Sequence, residues 1–279
     1  MKQDNPSDVS QSIKTFYDEK GWSHDHNGIT LDAQLNEDLR DVASEYISQC
    51  RLRVKKYINE PGTHILDMAS GPIQYPEYLT YSENYKKRHC VDLSEHALTE
   101  AEKKIGEHGD YYCGDFLKIP FENDFFDCSI SCHTLYHIHK DKQKETVDKL
   151  IDVTKEDKNI IIVYSNPNYI FHKAAKFFKD IFFKVDTSTQ NNLYHFTYPI
   201  SFWNLFKDKA YIHIVPWRSM SSRHQKLIIP NNLLGRWMFK ILFQFEETFP
   251  LIFIRFFKFY MVVLRKIPED RRMRNSTNQ

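Results

Sequence analysis

Apolar positions along this chain change their period several times, and each change marks an element. Ile13, Phe16 and Tyr17 share a face across Val9–Lys20 and predict a helix, behind a polar N-terminus (residues 1–10) expected to fray. Leu31–Glu37 is polar and mixed. From Arg40 to Ile58, Val42, Tyr46, Ile47, Cys50, Val54 and Tyr57 recur at helical steps, so an amphipathic helix is expected. Glu60-Pro-Gly62 stops it, since proline cannot continue a helix and glycine supplies a turn.

Beyond residue 62 short apolar runs alternate with helical patterns. Thr63–Leu66 reads as a strand that leads into Asp67, and Pro76–Tyr85 as a helix. Lys87–Val91 is a second strand, ending in Asp92. Ser94 is placed to cap a helix striped by Ala97, Leu98, Ala101 and Ile105. Asp110–Cys113 and Phe126–Cys132 are further strands, and Lys142–Val153 is a helix with Val147, Leu150 and Ile151 inward. Asn159–Tyr164 is continuously apolar, as expected of a strand buried on both faces. The alternation predicts a doubly wound, mostly parallel α/β sheet.

After Asn166-Pro167 the texture shifts. Phe171–Val185 is rich in Phe and Lys, and Asp186–Asn192 is a polar loop. Ile200–Phe206 reads as a helix before the strand Ala210–Val215. Leu233–Phe245 reads as a helix with Leu234, Met238, Ile241, Leu242 and Phe245 on one face, and Tyr260–Leu264 as a last strand. One domain over 1–268 is expected: a helical cap (1–60), a core (61–167) and substrate-side insertions with the last strands (168–268). A disordered tail (269–279) follows.

Composition adds limits more than direction. The 279 residues suffice for a full core, and 41% hydrophobic with 27% charged content is ordinary for a soluble protein. A net charge of +1 gives no argument for nucleic acid. The five cysteines show no CxxC spacing, the N-terminus is polar, and no apolar run reaches membrane-spanning length. A cytoplasmic protein without a disulfide framework or zinc site is expected.

Chemistry gathers at the strand ends. Asp67, Asp92 and Asp115 each close or follow a strand, so a parallel sheet brings them to one edge, where such sheets bind ligands. A carboxylate at Asp92 can accept from two vicinal hydroxyls. Asp115 can accept from an exocyclic amine, and Phe116 offers a stacking surface.

Taken in order, Asp67-Met-Ala-Ser-Gly71, Val91-Asp-Leu-Ser94, Gly114-Asp-Phe116, Phe126-Asp-Cys-Ser-Ile-Ser131 and His133-Thr-Leu-Tyr-His137 resemble the motifs of class I S-adenosylmethionine-dependent methyltransferases. The resemblance covers roughly residues 60–166. It implies a Rossmann-like seven-stranded sheet and S-adenosyl-L-methionine as cofactor. Ala69, Ser70 and Gly71 would pass under the cofactor's methionine part, near the scaffold acid Asp67. Asp92 with Leu93 would hold the ribose, and Asp115 with Phe116 would meet adenine. Tyr17, in Phe16-Tyr-Asp18, would approach the cofactor carboxylate, or else be a core aromatic of the cap. The family's usual turn has glycine where this chain has Ala69, and alanine disfavours positive φ.

The same resemblance places the acceptor beyond the fourth strand, beside His133 and His137. Either can act as a base for a hydroxyl, and either can merely line the cofactor's edge. His139 points elsewhere, and no metal is expected. Trp217-Arg-Ser-Met-Ser-Ser-Arg-His224 reads as a solvated loop, with sugar or phosphate binding as the alternative. The segments 171–184 and 236–258 suit either burial or peripheral contact with a membrane. The run Gly71-Pro-Ile-Gln-Tyr-Pro-Glu-Tyr78 resembles methyltransferases of surface-glycan pathways, which implies O-methylation of a small-molecule or glycan hydroxyl. A nicotinamide-dependent oxidoreductase and a non-catalytic partner subunit of the same fold remain the alternatives.

Overall fold

A computed structural model of the protein describes residues 5–59, 61–169, 193–254 and 257–271. Seven strands form one sheet: β1 (Gly62–Met68), β2 (Tyr85–Asp92), β3 (Gly109–Cys113), β4 (Cys128–Cys132), β5 (Asn159–Ser165), β6 (Ala210–Arg218) and β7 (Phe259–Lys266). Their order is β3-β2-β1-β4-β5-β7-β6. β7 runs antiparallel to β5 and β6, and the other pairs are parallel. The chain winds one way from β1 to β3 and the other way from β4. This leaves a crevice at the carboxyl ends of β1 and β4, the switch point where such sheets bind ligands. Because β7 is reversed, its first residues reach the same edge as the last residues of β5 and β6.

Before the sheet come α1 (Pro6–Phe16), α2 (Leu31–Asn36) and α3 (Asp41–Leu52). Within and after it come α4 (Pro76–Leu79), α5 (Glu95–Ile105), α6 (Lys140–Val153), α7 (Ser222–Ile228), α8 (Leu233–Thr248) and α9 (Pro250–Ile254). Ser94 caps α5 as expected, its Oγ accepting from the Ala97 amide at 3.1 Å. Ile160–Tyr164 of β5 is fully buried, since helices cover both faces of the central strands.

Several elements differ from the sequence pattern. α1 starts at Pro6, capped by Asn5, so the expected frayed end is ordered from residue 5. It passes into a π-helical turn, Tyr17–Gly21, instead of continuing to Lys20. Gly21 is required there, because a Cβ would sit 2.5 Å from the Tyr17 ring. The mixed stretch before α3 holds α2, whose cap is Thr30 Oγ1 accepting from Ala33 N at 3.2 Å. α3 tightens into a 3-10 turn at Val54–Tyr57, and Ile200–Phe206 is 3-10 throughout. The helix expected over Pro76–Tyr85 is four residues and a 3-10 turn, because Tyr85 already pairs with Gly62 in the sheet.

α8 is rotated in part from its expected face. Met238 and Leu242 pack on the core as expected, but Phe239 and Glu246 are the buried side chains, while Leu234, Ile241 and Phe245 are exposed. The cause is tertiary: Phe239 stacks on Tyr46 at 5.0 Å, and Arg53 Nη1 donates to Glu246 at 2.8 Å. Phe171–Val185 lies outside the described residues, as do the loop at 186–192 and the end of the tail, 272–279. Glu269–Arg271 is described, with the Glu269 amide on Glu156 at 2.8 Å.

Candidate active site

A cavity of about 740 Å3 opens at the switch point, roofed by the N-terminal helices. That volume lies within the roughly 300–1,000 Å3 usual for small-molecule sites. Its floor is the turn after β1. The Ser70 amide donates to Val91 O at 3.1 Å and the Gly71 amide to Asp92 Oδ2 at 2.9 Å, which ties the turn to β2. Lys104 Nζ bonds the carbonyls of Pro72 and Ile73 at 2.6 and 2.9 Å and fixes the run that follows.

The turn is left-handed at Ala69 (φ 60°), Gly71 (φ 55°) and Ile73 (φ 48°). The alanine thus occupies a conformation that costs an L-residue about 1–2 kcal/mol. Ala69→Gly is expected to relieve most of that strain while losing roughly 0.5–1 kcal/mol to unfolded-chain entropy. The net is a stabilisation of about 0.5–1 kcal/mol, measurable in urea; a lower midpoint would show that the Ala69 methyl packs productively.

Asp67 and Asp92 do different work. Asp67 lines the cavity, but its Oδ2 is taken by Arg88 through Nε (3.1 Å) and Nη2. Arg88 is itself buried and donates onward to Tyr78 O at 2.6 Å. Asp67 therefore neutralises a buried cation. Asp92 receives only backbone donors, Gly71 N on Oδ2 and Ser94 N on Oδ1, both at 2.9 Å. Each oxygen keeps acceptor capacity facing the cavity. Burial pushes the Asp92 carboxyl up to about 6 against the pull of those two amides, and Asp67 adds to the rise.

The cap supplies the roof. Tyr17 lines the cavity and stacks on Trp22 at 4.9 Å, and burial holds its phenol well above the ordinary value. The Trp22 ring covers Gly71, where a Cβ would stand 3.1 Å away. Gln74 bonds Thr30 Oγ1, closing the cap on the turn. Trp22 Nε1 is buried in this wall without a partner among the described residues. Asp32 also faces the cavity, its carboxyl raised to about 6 by burial.

His133 and His137 flank the cavity as the spacing suggested, beside Tyr136. His133 is left-handed (φ 61°) and meets Trp217 edge-on at 4.3 Å. Burial, then Arg218 and Arg51, hold its imidazole far below the ordinary value. His137 Nδ1 lies 2.8 Å from Tyr194 O, a pure acceptor, so Nδ1 carries the proton and Nε2 is left as an acceptor. Burial lowers the His137 value too, so its neutral form dominates at pH 7. His139 instead caps α6.

Leu93 lines the cavity, but Asp115 and Phe116 do not. Asp115 Oδ1 accepts from Leu117 N at 3.0 Å, and Phe116 packs into the core. The stretch after Trp217 is no solvated loop: Trp217 and Arg218 are buried, and Arg218, Ser221, Ser222 and Arg223 line the cavity. The sequence pattern also gave no place to Trp22, Asp32, Glu37 or Lys258, which line it as well. Their signal is tertiary, since the cap and the start of β7 are far from the motifs in sequence. Among the described residues no His, Cys, Asp and Glu group is placed to hold a metal ion, and no helix is long and apolar enough to cross a membrane.

Strand order, reversed β7 and a β2-end carboxylate beneath a small-residue turn define a nucleotide-type site on a methyltransferase sheet. Residues 66–162 match the model of a methyltransferase domain family. Over those residues the chain carries a methyltransferase domain of the S-adenosylmethionine-dependent kind, which removes the oxidoreductase alternative. Among solved structures, phosphoethanolamine N-methyltransferase 1 of Haemonchus contortus, in complex with phosphoethanolamine and S-adenosylhomocysteine, superposes with a TM-score of 0.59 at 11% identity. The match covers 95% of this chain and 50% of that one. Magnesium protoporphyrin IX methyltransferase of Synechocystis PCC 6803, with bound SAH, gives 0.54 at 12% identity over 92% of this chain and 100% of that one. A putative methyltransferase in complex with the Haloferax volcanii Trm112 activator gives 0.54 at 11% identity over 81% and 92%. At such identities the likeness is one of fold. No curated protein matches the sequence significantly.

Proposed function

We propose that the chain, acting as one unit over 1–268, methylates a hydroxyl oxygen of a small molecule, a sugar or glycan hydroxyl being one such acceptor. The observation that carries this reading is the carbonyl of Tyr194 set 2.8 Å from Nδ1 of the cavity-lining His137, a contact that calls for the proton on Nδ1 and leaves Nε2 free to act as a base. When bound, S-adenosylmethionine supplies an electrophilic methyl on a sulfonium. Asp92 would accept from the ribose hydroxyls, and Leu93 would lead towards the adenine end. Ala69, Ser70 and Gly71 support the methionine part beside Asp67, and Tyr17 and His133 close over it. The unpartnered Trp22 Nε1 and the acid Asp32 fit the carboxylate and cationic groups of that end.

As the acceptor oxygen takes the methyl, the S–CH3 bond of the sulfonium breaks to leave a neutral thioether. The hydroxyl proton would pass to His137 Nε2, while the Nδ1 proton would stay on Nδ1, hydrogen-bonded to Tyr194 O. Alignment of the two reactants provides most of the rate, and the base adds roughly 10²–10⁴-fold. His137→Ala should therefore lower kcat by about a hundredfold or more while leaving the Kd for S-adenosylhomocysteine unchanged. Unchanged turnover would remove the base.

The same reading places the protein in the cytoplasm with one face against a bilayer. Leu233, Trp237, Ile241 and Leu251 form an exposed apolar stripe on α8 and α9, flanked by the exposed cations Arg236 and Lys240, which meet Asp41 at 3.5 Å and Glu45 at 3.7 Å. Such a face suits an anionic membrane surface. The protein is expected to sediment with phosphatidylglycerol vesicles and to be released by Trp237→Ser with Ile241→Ser. Equal recovery in the supernatant with and without vesicles would rule this contact out.

A further inference from the structure

The cavity wall built by the end of β6 and the start of β7 holds more cations than carboxylates. Arg218, 2% exposed, donates from Nη1 to Glu37. Glu37 also serves Arg51 Nη2 at 3.4 Å, and Arg51 Nη1 turns to Glu77 at 3.4 Å. Two guanidiniums thus meet two carboxylates, and Arg218 Nε stays buried without a partner among the described residues. Lys258 stands beside them. Its Nζ donates to Ser165 Oγ at 3.0 Å, and among the described residues no carboxylate pairs with it. Arg223, exposed at the same wall, has no ion pair among the described residues either.

A buried cation without a counter-ion is costly, and proteins retain one chiefly where a ligand completes it. We propose that this wall is an anion subsite, in which Lys258, Arg218 and Arg223, with the Ser222 hydroxyl, hold a phosphate or carboxylate group of the acceptor. The positive potential is visible in its neighbours: burial and then Arg218 push Lys258 down to about 8. Placement agrees with the chemistry. β1, β4 and β5 lie between β2 and β7, so the subsite stands roughly 19 Å along the sheet from Asp92 at ~4.8 Å per strand. His133 and His137, at and beyond the end of β4, fall between the two. The acceptor would be anchored by its anionic end, with its hydroxyl towards His137.

This assignment rests on the methyltransfer reading for its role, but the subsite itself can be tested separately. Inorganic phosphate and acetate are titrated at constant ionic strength into the full chain, with and without saturating S-adenosylhomocysteine. At least one anion is expected to bind in both states, and which of them binds tells a phosphate handle from a carboxylate. Lys258→Met and Arg223→Gln should each weaken that binding tenfold or more, with the affinity for S-adenosylhomocysteine unchanged. Arg223 is exposed, so its substitution leaves folding intact and keeps the test decisive. No binding of either anion, or binding indifferent to both substitutions, overturns the subsite. Failure of S-adenosylhomocysteine to bind while the anion still does so overturns the cofactor assignment alone.

Discussion

Asp92→Ala is expected to weaken S-adenosylmethionine binding by roughly a hundredfold or more. Hydrogen bonds to a charged acceptor contribute about 1.5–3 kcal/mol each, and two ribose hydroxyls would donate here. The substitution also strips the Gly71 and Ser94 amides of their acceptor, so the turn loses its tie to β2. The wild-type carboxyl adds a signature in pH. Its value in the empty protein is raised to about 6, and only the ionised form accepts from both hydroxyls. Affinity should therefore be complete well above pH 6 and fall by about tenfold per unit below it. Calorimetry between pH 5 and pH 8 measures both effects. An Asp92→Ala protein that binds normally, or a flat wild-type profile, would take the carboxylate out of the cofactor site.

Glu246→Ala should cost about 3–5 kcal/mol of stability, the usual penalty for removing one partner of a buried ion pair. Glu246 is fully buried. Its Oε1 accepts from Tyr46 Oη at 2.7 Å and Ser219 N at 3.1 Å, and its Oε2 from Arg53 at 2.8 Å. Arg53 in turn holds Trp217 O at 2.7 Å, so the pair joins α3, α8 and the end of β6. A fall in melting temperature on the order of 10 °C follows for a chain of this size. Glu247 provides the control. It also meets Arg53 at 2.8 Å but is partly exposed, so Glu247→Ala should cost about 1 kcal/mol or less. Equal melting temperatures for the two variants would show that Arg53 is served by Glu247 alone.

The fold was largely legible because a parallel sheet writes its order into the chain. Strand and helix periods alternate from β1 to β5, and the acid at the end of β2 announces the ligand edge. Reading failed where long-range contacts override local pattern. The apolar row of α8 looked inward by period, yet only Met238 and Leu242 of it pack on the core, because Tyr46 and Arg53 fix Phe239 and Glu246 inside. The π-helical turn at Tyr17 comes from a ring packed against Gly21 and leaves no mark in hydrophobic spacing.

The candidate site divides in the same way. Sequence alone determined the turn after β1, Asp92 and the His133–His137 pair, because each sits at a strand end that local pattern locates. Only the tertiary structure decided that Asp67 is taken by Arg88, that Trp22 roofs Gly71 and that Lys258 and Arg218 share a wall. Those groups come from separate elements, and the reversed last strand brings Lys258 to the edge beside Arg218 at the end of β6. Their charges acquire meaning only when burial removes water and leaves the neighbours to balance them.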